Sequence, residues 1–243
     1  MEGDPPADVA GTTDYPFLGP LGLAGRGGTT DSVQAALREA IVASDLPPGA
    51  SINKHAICER LGVSRFPVSE ALARLQAEGL VEILPQRGTR VTRIRLRDVR
   101  EAMFIRRALE TEGVRVLAGR LGAERRAEID RNLRYQETAV AAQDHRGFHR
   151  LDLEFHALLI DALGFPRVPG LVETARGGLE RVRRMLSTAS RLPEVLHEHA
   201  AIWTALTAGD GAAAAAAMRR HLDRVVDDLV RFGERHPGVV DPD

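Results

Sequence analysis

The 243-residue chain has a single cysteine, Cys58. No disulfide can form within it, and a reducing compartment is expected. Aromatic residues make up only 4% of the chain, with one Trp. Its core must therefore come from aliphatic side chains, and the abundance of Ala, Arg and Leu favours helices over sheets. No apolar run approaches the roughly 20 residues that span a bilayer. The N-terminus is acidic and rich in Pro and Gly, without the basic and apolar stretches of a secretory signal. A soluble, cytoplasmic protein with no membrane partner is the expectation. Net charge is also scarce, at -1. Global charge therefore does not mark a nucleic-acid binder, but its distribution is uneven. Ser51 to Arg97 holds nine Lys or Arg against four Asp or Glu. A basic patch on a neutral chain suits a modular DNA binder.

What is present is mainly helical pattern. Hydrophobic residues make up 44% of the chain, enough for one large or two small cores. Residues 1–28, with four prolines and seven glycines, read as a disordered tail, although Phe17, Leu18, Leu21 and Leu23 offer a docking alternative. Order starts near Thr30 or Asp31. Val33, Leu37 and Ile41 form one apolar face. Pro47-Pro48-Gly49 stops that helix. A short helix is predicted over 53–60, Gly62 breaks it, and a third helix starts around Pro67. Two extended pieces, 80–84 and 89–94, flank Pro85-Gln86-Arg87-Gly88 as a hairpin with a basic tip. Three helices followed by a hairpin are the order of a winged helix-turn-helix.

The fold class is therefore mainly α. The winged helix covers 29–95, an all-α bundle of about six helices covers 96–236, and 237–243 is a tail. Breaks in the bundle fall near Gly122, Gly147, Gly164 to Gly170, Gly177-Gly178, Pro193 and Gly209 to Gly211. The run Ala212 to Ala217 keeps helical register and reads as a buried or interfacial helix.

In such a motif the third helix points its N-terminus into the major groove. Ser64 and Arg65 stand at that entry, where a hydroxyl can meet phosphate and a guanidinium can meet phosphate or guanine O6/N7. Pro67, Ser69 and Arg74 lie further along the helix, and Arg87, Gly88 and Arg90 lie on the wing. Arg65 and Arg74 also admit a plainer reading as solvated charges. A scaffold whose winged helix binds protein is a rival, opposed by the basic wing tip.

The segment LGVSRFPVSEALARLQAEGLVEILPQRGTRV resembles the GntR-family winged helix. The family pattern runs approximately LGVSRxPVREALxxLxxEGLV, then PxRGxxV. Here Leu61 to Arg65, Pro67-Val68, Glu70-Ala71-Leu72, Leu75, Glu78 to Val81, Pro85, Arg87-Gly88 and Val91 match it. Three positions depart. Ser69 stands where the family usually has a DNA-contacting arginine, Phe66 where Thr is usual, and Lys54 where an acid is common. A lost base contact is worth about 1–3 kcal/mol. Lys54 and His55 can compensate through phosphates. Cys58 stands where Ala is usual and reads as a small packed hydrophobe rather than a redox switch.

In the C-terminal half, Asp152 and His156 are four residues apart and share a helix face amid Leu151, Phe155, Leu158 and Leu159. His199 and His221 lie on two later helices. Three histidines and a carboxylate from three helices can surround a divalent ion, or can be hydrogen-bonded core and surface groups. His149 and His197 compete by spacing alone. This half resembles the FCD effector domain of the FadR branch, in its shorter VanR-like form, through Arg106 with Leu109-Glu110, Asp152 with Phe155-His156, Glu198-His199 and His221-Leu222. The resemblance implies Asp152, His156, His199 and His221 as metal ligands, with Zn²⁺ the usual ion and Ni²⁺, Mn²⁺ or Fe²⁺ as alternatives. It implies small carboxylate effectors, for which Arg106 is a charged partner unless it pairs with Glu110. Arg183 and Arg184 are further pocket candidates. No H-E-x-x-H pattern supports a metal-dependent hydrolase. The expected protein is a homodimeric repressor on a palindromic operator, released by a carboxylate, with an activator as the alternative.

Overall fold

The computed structural model describes residues 14–19, 28–186 and 191–241, and Leu21 and Leu23 lie outside them. The chain divides into two units. One holds the residues up to Ile94 together with His236–Asp241, and the other holds Arg95–Arg235.

In the first unit, α1 (Thr29–Val42) buries Val33, Leu37 and Ile41, the face set by their four-residue spacing. Asn53 caps α2 (Lys54–Leu61), its side-chain oxygen accepting from the amides of His55 and Ala56. Gly62 closes α2 with φ +65, a left-handed conformation that side chains resist. That turn launches α3 (Arg65–Ala77) from Ser64 at its N-cap, two residues before the predicted start. Val68, Leu72 and Leu75 of α3 are fully buried, and the helix packs on α1.

The wing follows as β2 (Val81–Leu84) and β3 (Gly88–Val91), antiparallel with Leu84 opposite Gly88. A strand the sequence did not suggest, β1 (Ser51–Ile52), pairs with β3, giving the order β1-β3-β2. Two residues are too few to show a period of two.

Two segments read as tails belong to this unit. Tyr15 and Leu18 are buried in its core, at 0% and 2% exposure. The Tyr15 hydroxyl accepts from the amide of Asn53 at 2.7 Å, and Arg60 donates to the carbonyl of Leu18. The disordered reading of 1–28 is therefore corrected for residues 14–19. Apolar side chains flanked by Gly and Pro found a groove that local composition does not reveal. At the other end, β5 (Val240–Asp241) pairs with β4 (Ile94–Arg95), the amide of Ile94 donating to the carbonyl of Val239. Truncating a buried aromatic costs about 3–5 kcal/mol. Tyr15→Ala is expected to lower the stability of the DNA-binding unit by that order in urea unfolding, whereas a detached tail would show no change.

The second unit has seven helices among the described residues, one more than the roughly six expected: α4 (Leu96–Leu117), α5 (Ala123–Ala141), α6 (His145–Asp161), α7 (Val168–Gly177), α8 (Glu180–Leu186), α9 (Arg191–Thr207) and α10 (Gly211–Arg235). Gly147 lies inside α6, bonded by its amide to the Asp144 cap, and does not break it. α4 packs on α10 and α7, α5 on α6 and α9, and α9 on α10. In the alanine run, Ala214 and Ala217 are buried. No described helix is long and apolar enough to cross a membrane.

Candidate metal centre and nucleic-acid interface

α6 carries Asp152 and His156 one turn apart, α9 brings His199 and α10 brings His221. All four are buried, and their ligand atoms lie within 4.8 Å of one another. Each imidazole has an oxygen beside its Nδ1, in a hydrogen bond for His199 and His221 and in a close ionic contact for His156. His156 Nδ1 lies 2.5 Å from Glu110 of α4, His199 Nδ1 lies 2.8 Å from the Gln136 side-chain oxygen of α5, and His221 Nδ1 lies 2.7 Å from Glu198 of α9. With a proton on each Nδ1, the lone pair sits on Nε2. The three Nε2 atoms turn toward one another and toward Asp152. His156 and His221 Nε2 are 3.2 Å apart, and Asp152 is 3.4 Å from His199 Nε2 and 3.8 Å from His156 Nε2.

Lone pairs so placed repel unless a cation or a shared proton lies between them. Zinc–nitrogen bonds of about 2.05 Å in a tetrahedron put ligand atoms roughly 3.3 Å apart, so the observed spacing fits an ion. His199 Nε2 is buried without a hydrogen bond, an expensive state for an isolated polar atom. These four residues could thus hold a metal ion, and Glu110, Gln136 and Glu198 orient its ligands as outer partners usually do.

The electrostatics agree. Burial drives the His199 imidazole well below its usual range, helped by the neighbouring His221 and His156. Burial also takes His156 down to about 3 despite Glu110. Both are therefore neutral, the form that binds metal. Burial would raise the Glu110 carboxyl, but Arg106 and His156 outweigh it and hold Glu110 well below the carboxylate range. Arg106 donates to Glu110 at 2.6 Å, and both side chains are 1% exposed. The pair that competed with Arg106's effector role is thus present, and it buttresses His156. Glu198 is held at about 2 against its own burial by His221 and Arg191.

A histidine depressed in the folded state stays neutral while the unfolded chain takes up its proton near pH 6.5. The stability it contributes is complete above that value and is lost as pH falls toward the folded pKa. His149, taken to about 4 by burial and by Arg183, Arg184 and Arg176, shares this sign. Metal-stripped protein is expected to lose melting temperature progressively between pH 6.5 and 4. A flat profile over that window, measured by calorimetry in EDTA, would contradict the burial of neutral imidazoles.

Beside the cluster lies a cavity of about 70 Å³, lined by Arg106, Arg183, Asp152 and His221 on its polar side. Arg183 pairs with Asp152, whereas Arg184 turns to Glu180 and is not part of this lining.

In the first unit, Ser64, Arg65 and Ser69 are exposed together on the N-terminal part of α3, as are Arg87, Gly88 and Arg90 on the wing. Among the described residues Arg65, Arg87 and Arg90 make no ion pair, so their charge is available. Gly88 takes φ +92 at the wing turn. Two of the expected DNA contacts are placed differently from the others. Pro67 is buried in the first turn of α3, so its ring serves the core. Arg74 is committed to Asp31 at 2.8 Å and Glu70 at 3.3 Å, tying α3 to α1. Its position on the helix showed the charge but not the partner 43 residues away. His55 pairs with Glu59 at 3.3 Å, Lys54 is half-buried at the start of α2, and Cys58 is half-buried against the core. Phe66 is 76% exposed beside Arg65.

An exposed cationic helix entry and wing, joined in one chain to a helical unit with a buried His₃Asp cluster, define a two-part DNA-binding regulator. The model for gntR-family bacterial regulatory proteins matches residues 29–91, and the FCD domain model matches 101–224. The chain belongs to the GntR family of transcriptional regulators, in its FCD-containing FadR subfamily; it is a transcription regulator and not an enzyme. It is 32% identical to the HTH-type transcriptional repressor RspR of Escherichia coli K12, over 79% of this chain and 85% of that one. An HTH-type regulator from an unstable DNA locus of Streptomyces ambofaciens is 35% identical over 83% of this chain and 85% of its own length. A solved GntR regulator from Rhodococcus sp. RHA1 superposes with a TM-score of 0.66 at 27% identity, covering 83% of this chain and 97% of that one.

Proposed function

We propose that this regulator is a metal-dependent carboxylate sensor: a homodimeric repressor that leaves a palindromic operator when a small carboxylate binds beside a divalent ion at Asp152, His156, His199 and His221. The convergence of three Nε2 lone pairs on one carboxylate carries this reading. Zinc suits three imidazoles and one oxygen, and nickel, manganese or iron suit them in a more open geometry. The ion would supply a Lewis-acidic coordination position for the effector. The remaining work falls to protein groups. Glu110, Gln136 and Glu198 hold the imidazole rings, and Arg106 and Arg183 line the cavity with positive charge.

Cations at Arg65, Arg87 and Arg90, with the Ser64 hydroxyl, form the DNA-facing set. Arg65 is the base reader and the wing arginines hold phosphate. Two such sets in a dimer match successive major grooves and hence a palindrome. A carboxylate must favour one arrangement of the dimer over the other to change DNA affinity. RspR is a repressor by name, which supports repression rather than activation. The test is a mobility-shift titration of metal-loaded protein on duplexes from its own gene neighbourhood, with acetate and longer acids added. Release by acid in loaded but not EDTA-treated protein is expected. Release indifferent to metal sinks the proposal, and tighter binding on adding acid turns the repressor reading into an activator one.

A further inference from the structure

The cavity beside the cluster also has an apolar wall. Phe148 of α6, Leu186 of α8, Leu192 and Val195 of α9 and Val225 of α10 form that wall. Of the guanidinium groups that line the cavity, Arg106 is satisfied by Glu110, and Arg191 by Glu198 and Asp228. Arg183 differs. It pairs with Asp152 through one arm, but its Nη1 is buried with no hydrogen bond. His149 also lines the cavity, and its Nε2 is likewise buried and without a partner. Two residues with unsatisfied buried nitrogens therefore line a cavity that five apolar side chains also line.

Resting on the carboxylate-sensing role above, we infer that the effector is a monocarboxylate with a short apolar tail, its head held by Arg183 and His149 and its tail laid against Phe148, Leu192 and Val195. An unpaired buried guanidinium N–H calls for an anionic oxygen. A neutral imidazole beside it adds a second donor in the appropriate tautomer. A sugar acid would set hydroxyls against these five apolar side chains, which offer them no hydrogen bond. A second carboxylate would meet the same wall at greater cost. The volume, about 70 Å³, admits several water-sized groups and so a short chain rather than a long one.

The experiment is isothermal titration of the full-length, zinc-loaded chain with acetate, butanoate, hexanoate and gluconate, with metal content measured on every sample. Each methylene brought out of water is worth roughly fourfold in affinity. Hexanoate is expected to bind at least tenfold tighter than acetate, and gluconate no tighter than acetate. Arg183→Gln should weaken hexanoate at least tenfold at unchanged metal content. If that variant loses metal, Val195→Asn decides, with hexanoate binding lowered severalfold and acetate binding unchanged. Gluconate matching hexanoate, hexanoate no better than acetate, or an indifferent Val195→Asn each overturns the inference. Failure of all four acids, acetate included, would instead overturn the carboxylate-sensing role itself.

Discussion

Replacing His199 by Leu is expected to abolish stoichiometric metal binding while leaving the metal-free protein as stable as the parent, or more stable. His199 is the natural probe. It is fully buried, it stacks on Phe155 with ring centres 4.3 Å apart, and its Nε2 lacks a hydrogen bond. Leu fills similar space and removes the lone pair. Losing a ligand from a four-residue set should cost more than the roughly 10–100-fold typical of an outer hydrogen-bond partner. Gln136→Leu, which frees the His199 Nδ1, should fall in that smaller range. In the parent, metal at a thousand times its dissociation constant should add about 4 kcal/mol. That increment, and the rise in melting temperature it produces, should vanish in His199→Leu. Without metal, the substitution replaces an unsatisfied polar group with an apolar one, a change that is often neutral or favourable in a core. Elemental analysis and calorimetry with and without EDTA give the result. A His199→Leu protein that retains stoichiometric metal refutes the metal centre, and a metal-free His199→Leu protein clearly less stable than the metal-free parent refutes its burial energetics.

Arg65→Ala should produce the second large effect, on DNA. Its guanidinium stands exposed at the first position of α3, with no ion pair among the described residues. A base-reading arginine is worth about 1–3 kcal/mol, roughly 5- to 150-fold in affinity, and its loss relaxes specificity at one position. Arg87→Ala on the wing should act differently, weakening binding to every sequence and lowering the salt slope by about one. Titrations of a selected duplex at several salt concentrations separate the two. Equal losses on specific and random DNA for Arg65→Ala would move it from base reader to phosphate clamp. Ser69 gives a control in the other direction. It is exposed on the same helix, so Ser69→Arg should add a charged contact and tighten binding.

Several structural features were legible in the residues, and they share a cause. The helix faces of α1 and α3, the Gly62 turn, the hairpin at Arg87-Gly88 and the order of the elements all follow from spacing within a dozen residues. Asp152 and His156 were legible as a pair because one helical turn separates them. The association of that pair with His199 and His221 came from resemblance to a family, since no local rule joins residues 65 apart.

What was not legible shares the opposite cause. Pro67 and Arg74 sit on α3, and only the tertiary structure shows Pro67 buried and Arg74 paired with Asp31 of α1. Tyr15 and Leu18 lie in a Pro/Gly-rich stretch, yet they fill a groove built from residues well downstream. Glu110 could be suspected as a partner of Arg106, but its place against His156 depends on α4 meeting α6.

By itself, the sequence determined the mainly helical class, the winged helix, the basic entry to α3 and the pairing of Asp152 with His156 on one helix face. Backbone preference, turn chemistry and hydrophobic period are local free energies, and they are written in order along the chain. Only the tertiary structure decided which nitrogen of each histidine is free, which arginine keeps an unsatisfied arm and which wall of the cavity is apolar. Those properties belong to pairs of groups brought from different helices into a space without water, where a missing partner is costly and a bound ion or carboxylate can supply it.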